Sequence, residues 1–260
     1  MPASLKLQEE MGENLQVVFV EAQGTTRDKT EAFALQRKWL GTRAMWTDER
    51  PVSSPGNGLP AFVLIGADGK ILLQGNPLAM KGQIEDAIAE QIDLAKQAPE
   101  GTPSKLKKAW SEFGKGNYAK ALAEAEKVRA AAEEDAELTE AAASALDTFR
   151  ARMLGQLARV DKMMTSGDFV YAEELLAELQ KSVRGHDELE AEVGEVQQRL
   201  GSEENAGERE AAAALFKLEQ KLAGKGKIDK HASALAKLAE DHAGTKAAAR
   251  ASRLLTLLEM

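Results

Sequence analysis

The last proline of the chain is Pro103, and residues 104–260 contain none. Alanine, glutamate, leucine and lysine dominate this stretch, as they do in all-helical segments. Pro103 itself stands where the first turn of a helix tolerates proline. No part of the stretch has the pattern of a β-strand, so we expect residues 103–260 to form an all-α domain, called the helical domain below.

Three glycines interrupt the helical pattern of this domain: Gly116, Gly167 and Gly226. Apolar residues recur at positions +2, +9 and +12 from each glycine, which predicts three αα-hairpins with glycine turns. The turns, which begin Gly-Asn-Tyr, Gly-Asp-Phe and Gly-Lys-Ile, resemble those of tetratricopeptide repeats. The repeat length in that family is about 34 residues, whereas these glycines are 51 and 59 residues apart. Long helices such as 137–165 take up the difference, so the domain is tetratricopeptide-like only.

Residues 1–97 alternate between strand-like and helix-like segments. The run 15–21 is apolar and rich in β-branched residues, which predicts a strand buried on both faces. Asp68-Gly69 predicts a hairpin turn with positive φ at both central positions. A strand–helix–strand unit implies a parallel crossover, and the hairpin adds antiparallel strands, so we expect a mixed sheet with helices on its faces. The other predicted elements are helices at 4–11, 28–40 (closed by Gly41) and 80–96, and strands at 43–46, 61–65 and 71–74. Residues 98–102 have the composition of a linker.

The segment Gly58-Leu59-Pro60, followed by the apolar run 61–65, the Asp68-Gly69 turn and Gly75, carries a family signal. It resembles the second half of the thioredoxin-like fold in bacterial thiol–disulfide oxidoreductases and redoxins. The resemblance implies that Pro60 is a cis proline facing the active site, and that Leu59 offers its backbone to an extended peptide. The alternative is a plain loop proline at the entry to a strand.

Residues 4–10 and 15–20 are similar to the end of that family's first active-site helix and to the strand after it. In the family the helix begins with Cys-X-X-Cys and a strand precedes it, whereas this chain starts after that point. We therefore expect an α/β domain at residues 1–97, thioredoxin-like but incomplete, joined by the 98–102 linker to all-α helical hairpins at 103–260.

The chain contains no cysteine. Thiol–disulfide exchange needs a thiolate to attack and a second thiol to resolve the mixed disulfide, so no catalytic residue is predicted. Two hypotheses stay open. In one, a redox-inactive thioredoxin-like protein acts in protein–protein interaction through its helical domain. In the other, the chain is an N-terminally truncated oxidoreductase whose catalytic cysteines lie upstream, and whether the protein is an enzyme therefore stays open. If the start of the chain is native, the expected localisation is cytoplasmic. If the chain is a truncated member of the family, the expected localisation is periplasmic or exported.

The remaining candidates are few. Trp46 is a candidate for stacking on a ligand, with a core position as the favoured alternative. The histidines, His186, His231 and His242, lack nearby ligand partners at helical spacing and are expected at the surface. We predict no metal site and no cofactor. A net charge of −8 argues against a nucleic-acid partner, and no apolar run is long enough for membrane insertion. The expected partner is a protein or peptide, and the oligomeric state stays open.

Overall fold

The computed structural model describes residues 2–39, 45–49, 52–53, 58–132, 134–224 and 227–260. They divide into two compact units. The first comprises the described parts of Met1–Asn57, Ser166–Val170 and Glu203–Met260, and the second those of Gly58–Thr165 and Tyr171–Ser202. These units alternate along the chain, whereas the predicted domains are consecutive. The division at 98–102 therefore stays a prediction.

The described residues form helices, short strands and three single 3₁₀ turns. In chain order the elements are α1 Pro2–Met11, β1 Val18–Val20, α2 Arg27–Gln36, β2 Met45–Thr47, β3 Phe62–Ile65, β4 Ile71–Gly75, α3 Lys81–Lys96, α4 Lys107–Gly114, α5 Tyr118–Ala130, α6 Ala136–Ser166, α7 Phe169–Ser182, α8 Asp187–Leu200, α9 Glu203–Ala223, α10 Ala232–Asp241 and α11 Lys246–Leu258.

The helical character of the second part of the chain is confirmed. Every regular element that the structure describes after residue 103 is a helix, including the long α6. The backbone turns with positive φ at Gly116 (+79°) and Gly167 (+85°), and α5 and α7 begin two residues later. A left-handed backbone suits glycine because it has no Cβ. The third predicted turn glycine, Gly226, lies outside the described residues.

The strands form two separate pairs among the described residues, and not the single mixed sheet that was expected. Strands β1 and β2 pair in parallel with Phe19 opposite Trp46, as a strand–helix–strand unit implies. Strands β3 and β4 pair antiparallel. The predicted double burial of the first strand is wrong, because Val18 and Val20 are 46% and 43% exposed. An apolar run becomes buried on both faces only where both are covered, and here the side chains alternate between exposed and half-buried.

The hairpin is confirmed, but its turn differs from the prediction. The N–H of Gly66 donates to the carbonyl of Lys70 (2.9 Å), and the N–H of Gly69 donates to the carbonyl of Gly66 (3.0 Å). Gly69 has a φ of +78°, whereas Asp68 is not left-handed. This is a three-residue loop with one left-handed glycine. Asp68 instead accepts a hydrogen bond from the N–H of Lys70 at 3.0 Å.

The helix α2 ends at Gln36, earlier than the prediction of 28–40, and Leu40 and its expected cap Gly41 lie outside the described residues. Its buried apolar side chains are Ala32 and Leu35, while Phe33 is 48% exposed and packs edge-on against Trp39. The packing of α2 on α11 determines which face of α2 is buried. The resulting core of the first unit comprises Ala32, Leu35, Ala211, Leu215, Leu222, Leu235, Leu238, Ala247, Ala251, Leu254 and Leu257.

The second unit has an aromatic centre. Phe149 of α6 is fully buried and lies between Phe113, stacked at 4.5 Å between ring centroids, and Trp110, edge-on at 4.8 Å. Gly114 lets α4 approach the end of α3, because a Cβ there would overlap the carbonyl oxygen of Lys96. The intervening residues 97–102 form a tight turn in which the N–H of Thr102 donates to the carbonyl of Pro99 at 3.1 Å.

Candidate functional site

The helices α9 and α10 enclose an open groove of about 470 Å³ in the first unit. Its floor consists of small or aliphatic side chains, Ala213, Ala214, Leu218, Ala234 and Leu238. Leu238 also belongs to the buried core, and Ala214 and Leu218 pack against that core. The floor is therefore backed by close-packed side chains.

The helical repeat explains how the sequence builds this groove. Residues 210, 213, 214, 217, 218 and 221 line it from α9, a spacing that places them on one face. Ala211, Leu215 and Leu222 lie on the adjoining face and are buried in the core. The helix thus has a wide apolar side, of which one edge remains open.

Charged side chains border the groove unevenly. Lys217 and Lys221 line it from the last two turns of α9, and Lys237 lines it from the middle of α10. Glu210 and Asp241 line it at the other end, beside His242. Two helices joined by so short a connection run antiparallel, which sets the end of α9 beside the start of α10. The groove therefore has one cationic and one anionic end.

His231, which does not line the groove, has a lowered pKa. Burial lowers the pKa of His231 below its usual value, and the charges of Lys230 and Lys221 lower it further. These neighbouring cations disfavour the protonated imidazole. His242 is half-buried in the groove lining, whereas His186 caps α8 and accepts a hydrogen bond from the N–H of Leu189.

A buried acidic cluster lies elsewhere in the first unit. Glu219 of α9 is 8% exposed, and the guanidinium Nε of Arg250 is 2.6 Å from its Oε1. Asp168, in the turn before α7, is 3.7 Å from Nη1 of the same arginine. Burial raises the pKa of both carboxyl groups, although the arginine opposes the rise. Sequence reasoning missed this cluster, whose signal was an acidic residue between Leu215 and Leu222 on an apolar face.

A second ionic cluster ties α2 to α11. Glu31 is buried and accepts hydrogen bonds from Nε of Arg27 (2.9 Å) and Nε of Arg253 (2.8 Å). Arg253 also pairs with Asp28. The guanidinium of Arg27 lies 5.9 Å from the ring centroid of Trp46, a cation–π distance. One face of Trp46, the predicted ligand-stacking residue, thus carries an arginine of the chain itself, and its ligand role stays a prediction.

The Leu59–Pro60 peptide bond is cis, as the resemblance implies. Both residues belong to the second unit and directly precede β3. Leu59 is 61% exposed. The structure thus places the two predicted docking residues at the surface, at the entry to a strand, while their role in binding a peptide stays a prediction.

The described ranges contain no group of three or more His, Asp or Glu side chains arranged to hold a metal ion. In the same ranges, no helix combines the length and the apolar character that crossing a membrane requires. No protein-family model matches the chain, and the searches of curated proteins and of solved structures found no match.

Proposed function

We propose that the chain is a redox-inactive, thioredoxin-like protein that acts in protein–protein interaction through its helical domain, with the α9–α10 groove as the binding surface. One observation carries the proposal: an apolar floor of small side chains lies open between two helices and is bordered by charges at both ends. The chain has no cysteine, so it contributes no thiolate of its own to redox chemistry.

The groove has the features of a helix- or peptide-binding surface. Recognition of an amphipathic helix needs an apolar groove that takes side chains at spacings of three and four residues. Alanine at positions 213, 214 and 234 allows the occupant's backbone to come close. Because the floor rests on buried core residues, little ordering is needed on binding, which favours affinity.

A peptide-display selection on the whole chain tests this proposal. Ala213→Gln combined with Ala234→Gln fills the groove with long polar side chains that suit a helix. Ala206→Gln combined with Ala249→Gln is the matched control, since both alanines are exposed on helices and do not line the groove. Selected peptides should lose about tenfold in affinity or more, about 1.4 kcal/mol, on the first variant and none on the second. A selection without binders, or binders indifferent to the groove variant, would overturn the proposal.

A second docking site is proposed at Leu59 and Pro60. Leu59 is well exposed, and within the described residues β3 pairs with β4 alone. The other edge of β3 thus offers backbone groups to an added strand. Peptides that bind here should be extended. Their binding should be unaffected by the groove substitutions and abolished by Leu59→Asp. Unchanged binding of such peptides by Leu59→Asp would rule out this site.

A further inference from the structure

Resting on the proposed function, we infer that the occupant of the α9–α10 groove is an amphipathic helix whose carboxyl-terminal half is acidic and whose amino-terminal half is basic. Its acidic end lies over Lys217, Lys221 and Lys237, and its basic end over Glu210 and Asp241. The occupant therefore runs parallel to α9.

The lysines at one end of the groove favour a negative ligand. All three are exposed, and in the part of the chain that the structure describes neither Lys217 nor Lys237 forms an ion pair. Lys217 and Lys221 are one helical turn apart, a spacing at which like charges repel. A carboxylate-rich partner would relieve this repulsion and would approach faster under electrostatic attraction.

The opposite end of the groove fixes the orientation. Glu210 and Asp241 line it there and repel the acidic half of any occupant. The helix dipole acts in the same direction, because the partial positive charge at a helix amino terminus suits nearby carboxylates and the partial negative charge at its carboxyl terminus suits lysines. A helix with its halves exchanged could meet opposite side-chain charges only by lying antiparallel to α9, and its dipole would then face like charges at both ends.

The dimensions of the groove set the length of the occupant. Its lining runs along α9 from Glu210 to Lys221, which corresponds to about 16 Å of helix, or three turns. Small side chains on the floor leave room for alanine and leucine on the facing side of the occupant. A helix of three to four turns with such a face therefore fills the groove.

Two synthetic peptides of about 15 residues, four turns of helix, test this inference on the full chain. Both carry the same apolar face and the same composition; one has the basic half first and the acidic half last, and the other has the halves exchanged. The first should bind about tenfold more tightly, equivalent to about 1.4 kcal/mol, and this preference should shrink as salt screens the charges. Equal binding of the two peptides would overturn the inferred orientation.

Charge reversal in the groove completes the test. Lys217→Glu combined with Lys237→Glu places acidic side chains at both ends of the groove, so it should weaken the first peptide and abolish the preference between the two. Lys105→Glu combined with Lys181→Glu changes the net charge equally at exposed positions outside the groove and should leave the preference intact. A preference that follows net charge in both double variants would contradict the inference.

The inferred occupant and the binding function of the groove would be contradicted by different results. If display-selected peptides bind in the groove but are not acidic at one end, the inferred occupant is wrong while the binding function stands. If no peptide, selected or synthetic, responds to Ala213→Gln with Ala234→Gln, the proposed function itself is wrong.

Discussion

The helical part of the chain after residue 103 and the region before residue 98 bury their apolar side chains to very different extents. In the helical part the large apolar residues Phe149, Met153 and Leu189 are all fully buried. In the earlier region the buried apolar residues that the structure describes are Ala32, Leu35 and Ile88, whereas Leu78 is 81% exposed and Met45 55%. Both regions have strongly apolar segments, but only one of them covers these segments.

The difference follows from what each element needs from its neighbours. A helix satisfies its backbone internally, and a helical hairpin buries apolar side chains against the next helix in sequence. A two-stranded sheet leaves both outer edges open and is marginally stable alone. The strand pairs of this chain are of that kind within the described residues. Folding stability should therefore reside mainly in the helices.

Removing the central aromatic ring should have the largest effect. Phe149→Ala deletes a fully buried side chain that contacts two other aromatic rings, and such a cavity costs about 3–5 kcal/mol. Leu78→Ala, in the earlier region, should change the free energy of unfolding by less than about 0.5 kcal/mol. Urea unfolding followed by helical circular dichroism measures both. Similar losses for the two variants would remove the contrast between the regions.

Replacement by alanine should have opposite effects on stability at a glycine where two helices approach closely and at a glycine with open space around it. Gly114→Ala places a methyl group against the carbonyl of Lys96, and relieving that overlap should cost about 1–3 kcal/mol. Gly194→Ala, within α8, meets no atom within 4 Å and should stabilise the helix by about 0.5–1 kcal/mol. Thermal unfolding distinguishes the signs. A neutral Gly114→Ala would mean that α3 and α4 do not pack closely.

Local patterns predicted much of this fold. The helices after residue 103 and the β3–β4 hairpin follow from alanine- and leucine-rich periodicity and from a short apolar alternation, which depend on neighbours in sequence. The turn type was missed because Asp-Gly suits both two- and three-residue loops. The packing face of α2 was missed because it depends on Arg253, 222 residues from Glu31.

The groove was equally hidden from the sequence. Alanines occur on several sides of α9, and only the positions of α10 and α11 decide which of them are buried and which form an open floor. The residues that the sequence did indicate, Leu59, Pro60 and Trp46, came from a family pattern or from residue type. Such signals locate surface features on single segments, whereas the groove needs two helices brought together.

Breaking the contact between α2 and α11 probes a part of the earlier region that is well buried. Arg253→Ala leaves the buried carboxylate of Glu31 with Arg27 as its remaining partner and should cost about 1–3 kcal/mol, the scale of a lost charged hydrogen bond. Lys6→Ala, which removes an exposed ion pair with Glu10, should cost about 0.5 kcal/mol or less. If the two variants are equally stable, α2 contributes little to the first core.

The smallest effect expected is a difference in the pH dependence of unfolding. Burial raises the pKa of Glu219 above its usual 4.5, so the folded state keeps this proton to a higher pH than the unfolded state does. Its contribution to stability is present below pH 4.5 and is lost as the pH rises through the raised pKa. Asp168 and Arg250 are the charged groups that face it. The wild type should therefore lose stability relative to Glu219→Gln across that interval.

Glu112 supplies a control of opposite sign in the second unit. Hydrogen bonds from Lys115 and Asn117 lower the pKa of Glu112, so its contribution is present above pH 4.5 and is lost as the pH falls through the lowered pKa. The stability of the wild type relative to Glu112→Gln should thus rise with pH, while its stability relative to Glu219→Gln falls. Chemical unfolding between about pH 3 and pH 7, a range that spans the carboxyl titrations, measures both differences. Slopes of the same sign would mean that burial does not raise the pKa of Glu219 in the folded chain, because without that rise Arg250 would lower it as Lys115 and Asn117 lower the pKa of Glu112.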